Sequence, residues 1–348
     1  MRKQFGQTVA VDGVSLEIPH GRLVCLLGPS GCGKTTILRM IAGLEAPTAG
    51  EVRFDGVRMN EVPPAARGVG MVFQNYALFT HLSVYDNLAF GLRVRRQPAA
   101  VVDHEVRRIA ALLELSDLLS AAVARLDLST MQRVAVGRTL VTRPKVLLLD
   151  EPLNNIRPGL RETMRTELRR LQMELQQTAV YVTHDQEEAL SLGDQVIVMQ
   201  RARVEQVGTP EEVYRRPRNR FVASFVGSPT MNFLPCRFTI REGRPTLVAG
   251  GLVIPADRWV QVVRGPGAYL LGIRPEDLVL GRGEGVGRVD LIRPIGGEQV
   301  VEMTFGEHRL LAVTQRDYRV AEGQAVNVEF PPDALYLFDV ESGEALYG

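Results

Sequence analysis

The stretch Gly28-Pro29-Ser30-Gly31-Cys32-Gly33-Lys34-Thr35-Thr36 constrains this chain more than any other part of it. It fits the pattern G-x-x-x-x-G-K-[ST], with Gly28, Gly33, Lys34 and Thr35 at the fixed positions. Leu23-Val24-Cys25-Leu26-Leu27 before it is a short apolar run of buried-strand type. Residues 36–42 after it have helical spacing, and Gly43 follows as a stop. Strand, glycine turn and helix therefore succeed one another. The glycines let successive backbone N–H groups curl around an anion, and the helix N-terminus adds its partial positive charge. Lys34 can reach outer phosphates as a point charge, and the Thr35 hydroxyl is placed to ligate Mg²⁺. All nine residues are expected to line a nucleotide's phosphates.

Length and charge bound the rest. The 348 residues allow two domains, and a formal net charge of +1 gives no overall field pointing to nucleic acid or an anionic membrane. Three cysteines, Cys25, Cys32 and Cys236, are too few and too scattered for a disulfide framework or a zinc site. No signal peptide is read at Met1–Gly6, and no apolar run approaches the roughly 18 residues a membrane span needs.

Along the chain, residues 8–18 read as strand with a turn at Asp12-Gly13, and residues 51–54 as a strand closed by Asp55-Gly56. Residues 69–73 form a short buried strand ending at Gln74. From 99 to about 143 the apolar period is near 3.6, carried by Val102, Val106, Ile109, Leu112 and Leu113. Residues 146–149 are an apolar strand ending in Asp150 and Glu151. Helix is expected over 159–176, strand over 179–184, an Asp185-capped helix over 186–192, and strand over 195–199. This alternation around one phosphate loop predicts an α/β fold, a mainly parallel sheet covered on both faces. Composition shifts near 228–236. Downstream, runs at 247–248, 260–263, 300–303 and 326–329 lie between Gly and Pro and predict a small all-β barrel of oligonucleotide/oligosaccharide-binding type. The expected domains are 1–228, with a helical subdomain at about 75–143, and 229–348.

Four polar residues stand at strand carboxyl ends, where ligands bind in such sheets. Asp150 can sit beside Mg²⁺ through water, and Glu151 can polarise a water for in-line attack on a γ-phosphate. Gln74 can bridge Mg²⁺ and water, and His184 can hydrogen-bond the γ-phosphate. Taken singly, each has a dull alternative as a cap, an ion pair or a structural histidine.

On these residues the chain resembles the ATP-binding subunits of ABC transporters, P-loop ATPases, and is most similar to those of maltose-type sugar importers. Residues 28–36 match the first Walker motif, Gln74 the Q-loop, residues 147–151 the second Walker motif, and His184 the switch histidine. Phe5 matches the aromatic that stacks on adenine. Residues 227–234 (GSPTMNFL) and 272–277 (GIRPED) resemble segments that open and build the regulatory β domain of carbohydrate importers. They favour sugars or polyols, although iron, sulfate and polyamine importers carry looser versions of the second.

The resemblance implies bound ATP and Mg²⁺, with Thr35, Gln74 and Asp150 near the metal and Glu151, His184 and Gln74 in hydrolysis. It implies a second ATP-binding subunit as dimer partner, and membrane permease subunits docked near Tyr76–Phe90 (Tyr76, Phe79, Tyr85, Phe90). It also implies an external solute-binding protein acting indirectly, and a place on the cytoplasmic face of the membrane. The bland alternative for the aromatics is a helical-subdomain core. The basic run 214–220 reads as solvated surface.

Two stretches depart from the family. Its signature L-S-G-G-Q falls on Leu126-Asp127-Leu128-Ser129-Thr130. This register is preferred over a two-residue gap that would put Leu128-Ser129 on the L-S, because Asp117-Leu118-Leu119 aligns through to Val134 without one. Its D-loop S-N-L-D falls on Asn154-Asn155-Ile156-Arg157. Both serve the opposite subunit's nucleotide, so a chain with its own site intact is expected to hydrolyse ATP beside a partner with a normal signature. A homodimer would have two impaired sites. The alternative reading is an ATP-binding half with little hydrolysis of its own. The family also has a strand before Phe5; with the sequence starting at Met1, either the start is misassigned or one edge strand is missing. A non-transport ABC ATPase is disfavoured by the C-terminal β domain.

Overall fold

Leu23–Leu27 and Thr178–Thr183 are buried at every position, so side chains pointing to either face of those strands are covered. The computed structural model describes residues 1–154, Ile156 and 158–347. It divides between Glu212 and Val213 into two units.

In the first unit the order is β1 (Lys3–Phe5), β2 (Thr8–Val11), β3 (Leu23–Leu27), α1 (Lys34–Ala42), β4 (Arg53–Phe54), β5 (Val57–Arg58) and β6 (Val69–Val72). Then come α2 (Val84–Val94), α3 (Ala99–Leu112), α4 (Leu128–Leu140), β7 (Val146–Asp150), α5 (Pro158–Glu174), β8 (Thr178–Thr183), α6 (Gln186–Leu192), β9 (Gln195–Gln200) and β10 (Arg203–Gly208). The main sheet has the order β10-β9-β3-β8-β7-β6. Its pairs are parallel except for β10 on β9. Leu27 pairs with Thr183 and Asp150 with Val182, so the glycine loop, Glu151 and His184 leave the sheet at one edge. Helix α1 packs against β6, β7 and β8. Its buried Ile37, Leu38, Met40 and Ile41 share a core with Val24, Leu26, Leu148, Val180 and Val182.

Several local expectations need correction. The strand expected over 8–18 stops at Val11, and residues 14–18 belong to no strand. Alternation of Val14, Leu16 and Ile18 supplies a face, but without a paired neighbour it makes no ladder. The strand at 51–54 shrinks to Arg53–Phe54. The helical period at 99–143 resolves into α3 and α4, separated by short 3₁₀ turns at Ser116–Leu118 and Val123–Arg125.

The second unit begins with α7 (Pro210–Arg215, starting just before the division) and α8 (Arg220–Phe225). Ten strands follow: β11 (Asn232–Arg241), β12 (Arg244–Ala249), β13 (Leu252–Pro255), β14 (Gly267–Ile273), β15 (Val279–Ile295), β16 (Glu298–Phe305), β17 (His308–Gln315), β18 (Ala325–Glu329), β19 (Leu335–Asp339) and β20 (Ala345–Leu346). They form two antiparallel sheets, β13-β12-β11-β14-β19-β20 and β17-β16-β15-β18. The expected strand at 260–263 is instead a turn after the one-turn helix Asp257–Trp259. There Trp259 is 1% exposed and anchors the segment in the core. The division falls earlier than the expected 228, and Arg274 contacts the stretch in between. Its buried guanidinium donates to the Val226 and Tyr214 carbonyls and stacks 3.8 Å from the Tyr214 ring centroid. The Tyr214 hydroxyl donates to Glu276, so this end of the basic run is not merely solvated.

Leu271 is fully buried at the centre of the second unit's core. Leu271→Ala is expected to destabilise that unit by about 2–5 kcal/mol in denaturant unfolding, as a core truncation that leaves a cavity.

Candidate functional site

Lys34 and Thr35 occupy the first turn of α1, and Gly33 with φ +105° precedes them. That left-handed conformation favours glycine. A Cβ at Gly33 would also stand 2.2 Å from the Ala10 carbonyl oxygen, and one at Gly28 would stand 2.3 Å from that of Met199. The loop is thus pressed against β2 and β9 and keeps its hollow only with glycine at both places. Lys34 is buried, and its Nζ donates to the carbonyls of Gly28 at 2.7 Å and Pro29 at 3.0 Å. Cys32 is buried beside it, Sγ 3.8 Å from Nζ, and burial pushes its thiol above the usual range. Pro29 and Thr36 are half-buried, while Ser30, Gly31 and Thr35 are exposed.

The Thr35 hydroxyl donates to Asp150 Oδ1 at 3.1 Å. Two residues far apart in sequence therefore bring oxygen donors together at the mouth of the loop. Burial pushes the Asp150 carboxyl above the ordinary range, while the Thr35 bond and the Lys34 charge pull the other way. Glu151 follows with φ +45°, and its N–H donates to the Val182 carbonyl at 2.9 Å. One carboxylate oxygen lies 3.2 Å from His184 Nδ1, and the other accepts from Asn154 Nδ2 at 3.1 Å. Below His184, Glu188 is a buried carboxylate accepting the hydroxyls of Thr183 at 2.7 Å and Tyr181 at 2.9 Å.

The sequence-predicted residues therefore fall into two contacting pairs, Thr35 with Asp150 and Glu151 with His184. Gln74 is exposed just beyond the carboxyl end of β6, on the same edge of the sheet. Phe5 is 46% exposed at the end of β1, with Lys3 Nζ 4.6 Å from its ring centroid. Arg161 and Glu188 belong to no sequence motif, and spacing alone does not place Asn154 against Glu151. Their partners are set by the fold rather than by spacing.

Asp127 is the N-cap of α4. Its carboxylate accepts the Thr130 N–H and the Thr130 hydroxyl, both at 2.9 Å, and the N–H bond holds it below the usual carboxylate range. Leu128 after it is 48% exposed. In the second altered stretch, Asn155 and Arg157 lie outside the described residues. Past Gln74, Tyr76 is buried rather than offered to a partner, whereas Phe90 is exposed and contacts Phe79 at 4.4 Å between centroids. Arg138 of α4 donates to the Ala77 and Tyr76 carbonyls, tying α4 to the segment after Gln74.

No helix among the described residues is long and apolar enough to cross a membrane. The sequence matches the ABC transporter family over residues 11–154 and the TOBE domain over 271–338. It is 42% identical to the trehalose/maltose import ATP-binding protein MalK of Thermococcus litoralis, over 99% of this chain and 97% of that protein. It is 44% identical to the maltose/maltodextrin import ATP-binding proteins MalK of Yersinia pestis and Photorhabdus laumondii, over 97% of this chain and 93% of each. Among solved structures, cbiO1 of Clostridium perfringens, part of the ABC transporter complex cbiONQ, aligns with a TM-score of 0.57 at 29% identity. The alignment covers 61% of this chain and 87% of that one. A nucleotide-free ATP-binding cassette from an ABC transporter aligns with a TM-score of 0.54 at 26% identity, over 61% and 89%.

Gly28→Ala is expected to weaken nucleotide binding at least about tenfold, since displacing the loop by even 1 Å misplaces its donors. Isothermal titration against the unsubstituted chain checks this, with circular dichroism to confirm that the fold persists.

Proposed function

Because this chain belongs to the family of ABC-transporter ATP-binding subunits, whose import members hydrolyse ATP to power solute uptake, we propose that it drives import of a sugar, of the maltose or trehalose class. The observation that carries the energy step is the Thr35–Asp150 contact at 3.1 Å beside the Glu151–His184 contact at 3.2 Å, on one sheet edge. Support for a sugar comes from the three MalK relatives and from the GIRPED stretch inside the TOBE match. The chain works with membrane permease subunits. Docking beside Phe79 and Phe90, a second ATP-binding subunit, an external solute-binding protein and a position on the cytoplasmic face complete the reading.

In this reading the backbone N–H groups of the glycine loop bind the phosphates, and Lys34 sets its ammonium beside them. Thr35 and Asp150 fit a small hard cation, since both present oxygen at the loop's mouth and the Asp150 charge is otherwise costly to bury. They would hold Mg²⁺, with Gln74 as a further oxygen donor, and the ion would supply charge neutralisation on the outer phosphates. Glu151 takes the proton of the attacking water on a carboxylate oxygen, Asn154 and His184 fixing the direction of that carboxylate. Phe5, exposed at the end of β1, offers a ring face to adenine.

Asp127 favours a qualification. It places a carboxylate at the N-terminus of α4, where the family presents a hydroxyl and glycine amides to the nucleotide of the opposite subunit. A like-charged group facing the γ-phosphate in a closed, partly dry interface opposes closure. The chain alone is therefore expected to bind MgATP and hydrolyse it slowly, and to need a partner with an unaltered signature for full turnover.

Two outcomes test this. Lys34→Ala should weaken ATP binding strongly; equal affinities in a titration would refute the phosphate role. The fourfold change Asp127→Ser, Leu128→Gly, Ser129→Gly and Thr130→Gln should raise turnover of the purified chain at least about tenfold, the usual scale for a restored donor at developing charge. A rate that does not rise would show the altered signature to be harmless.

A further inference from the structure

Arg161, on the first turns of α5, lies outside every motif discussed above, yet its guanidinium holds three groups at once. Nε donates to the Ile156 carbonyl at 3.0 Å and Nη2 to the Asn154 carbonyl at 3.3 Å. Nη1 stands 3.7 Å from Asp185 Oδ2. The other Asp185 oxygen is already engaged, accepting the Glu187 and Glu188 N–H groups at 2.8 and 3.3 Å as the cap of α6. The backbone around His184 is therefore fixed from two sides. Asp185 is pinned by its cap and by Arg161. Thr183 is pinned by the Glu188 carboxylate below and by the Asp185 N–H, which its hydroxyl accepts at 2.9 Å.

These contacts close a ring. Glu151 reaches His184 through one oxygen and Asn154 through the other. The Asn154 carbonyl reaches Arg161, Arg161 reaches Asp185, and Asp185 is the chain neighbour of His184. We propose that Arg161 is a positioning residue that ties the segment following Glu151 to the loop carrying His184, so that the two move as one body. It touches neither the glycine loop nor the Thr35–Asp150 pair. It acts on the orientation of Glu151 and His184, not on phosphate affinity. The three contacts come from three separate nitrogens of one planar group; an ammonium at this place keeps the charge but its single nitrogen cannot stand at all three positions.

The ATP-hydrolysis reading matters here only to the turnover measurement, so a second readout needs no nucleotide. The chain has five histidines. In ¹³C-histidine-labelled full-length protein the His184 ring resonance is assigned by its loss in His184→Gln. Arg161→Met is expected to move that resonance and leave those of His20, His81, His104 and His308 in place. Arg161→Lys should behave as Arg161→Met does. Asp185→Asn keeps an oxygen to cap α6 and removes the charge facing Arg161, so it should move the same resonance should Arg161→Met fail to fold. In MgATP assays, Arg161→Met should lower kcat about tenfold, the scale of a slightly misplaced catalytic group, with KM within about twofold of the parent. An unmoved His184 resonance in the folded variants overturns the proposal, even if the melting temperature falls. So does Arg161→Lys with unaltered resonance and turnover, or a rise in KM with kcat unchanged. A chain that hydrolyses no ATP even beside a partner subunit with an unaltered signature, yet shows the resonance shift, would leave the ring standing and refute the ATPase reading alone.

Discussion

Parallel pairing of β3, β8 and β7 is the constraint on which the rest depends. In that register Leu27, Thr183 and Asp150 end their strands at one level. Three separate stretches of chain then deliver an anion cradle, a carboxylate pair and an imidazole to the same edge. Parallel strands need crossovers, and crossovers bury both faces of the sheet. The burial of every residue in β3 and β8 is thus the same fact as the convergence of the site. A one-residue slip in β7 would turn Asp150 to the other face and part it from Thr35.

Electrostatics at that edge divide the labour. Lys34 spends its donors on Gly28 and Pro29 carbonyls, which fixes the loop's shape as well as its charge. The two adjacent carboxylates differ in surroundings. Asp150 answers to Thr35 and is pushed towards its neutral form by burial, while Glu151 is framed by neutral and basic partners, Asn154 and His184. Asp127 spends its charge locally on the cap of α4. The capping contribution to helix stability is therefore secure, and the electrostatic cost falls on whatever anion approaches that helix end.

The glycine loop, the buried strands and the strand-end polar residues were legible in the sequence because each is a local pattern with a local cause. Gly28 and Gly33 could be named without knowing that Met199 and Ala10 would press on them. What the sequence hid was everything fixed by non-local pairing. Residues 14–18 alternate as a strand should, yet they join no strand. The run at 260–263 has strand composition, yet Trp259 pulls it into a turn. Arg274 contacts two carbonyls within residues 213–228, which no composition shift records. Arg161 carries no motif, and its meaning comes from three partners contributed by two separate loops.

Glu151 sits at φ +45° at the end of β7. A non-glycine residue in that region carries a conformational penalty of about 1 kcal/mol or more, held in place by the surrounding contacts. Glycine there would relieve the penalty and remove the carboxylate in one step. Drift towards greater thermal robustness and retention of the reaction thus pull opposite ways at a single codon. Screening variants of this chain for melting temperature alone would favour the loss of the carboxylate proposed to activate water.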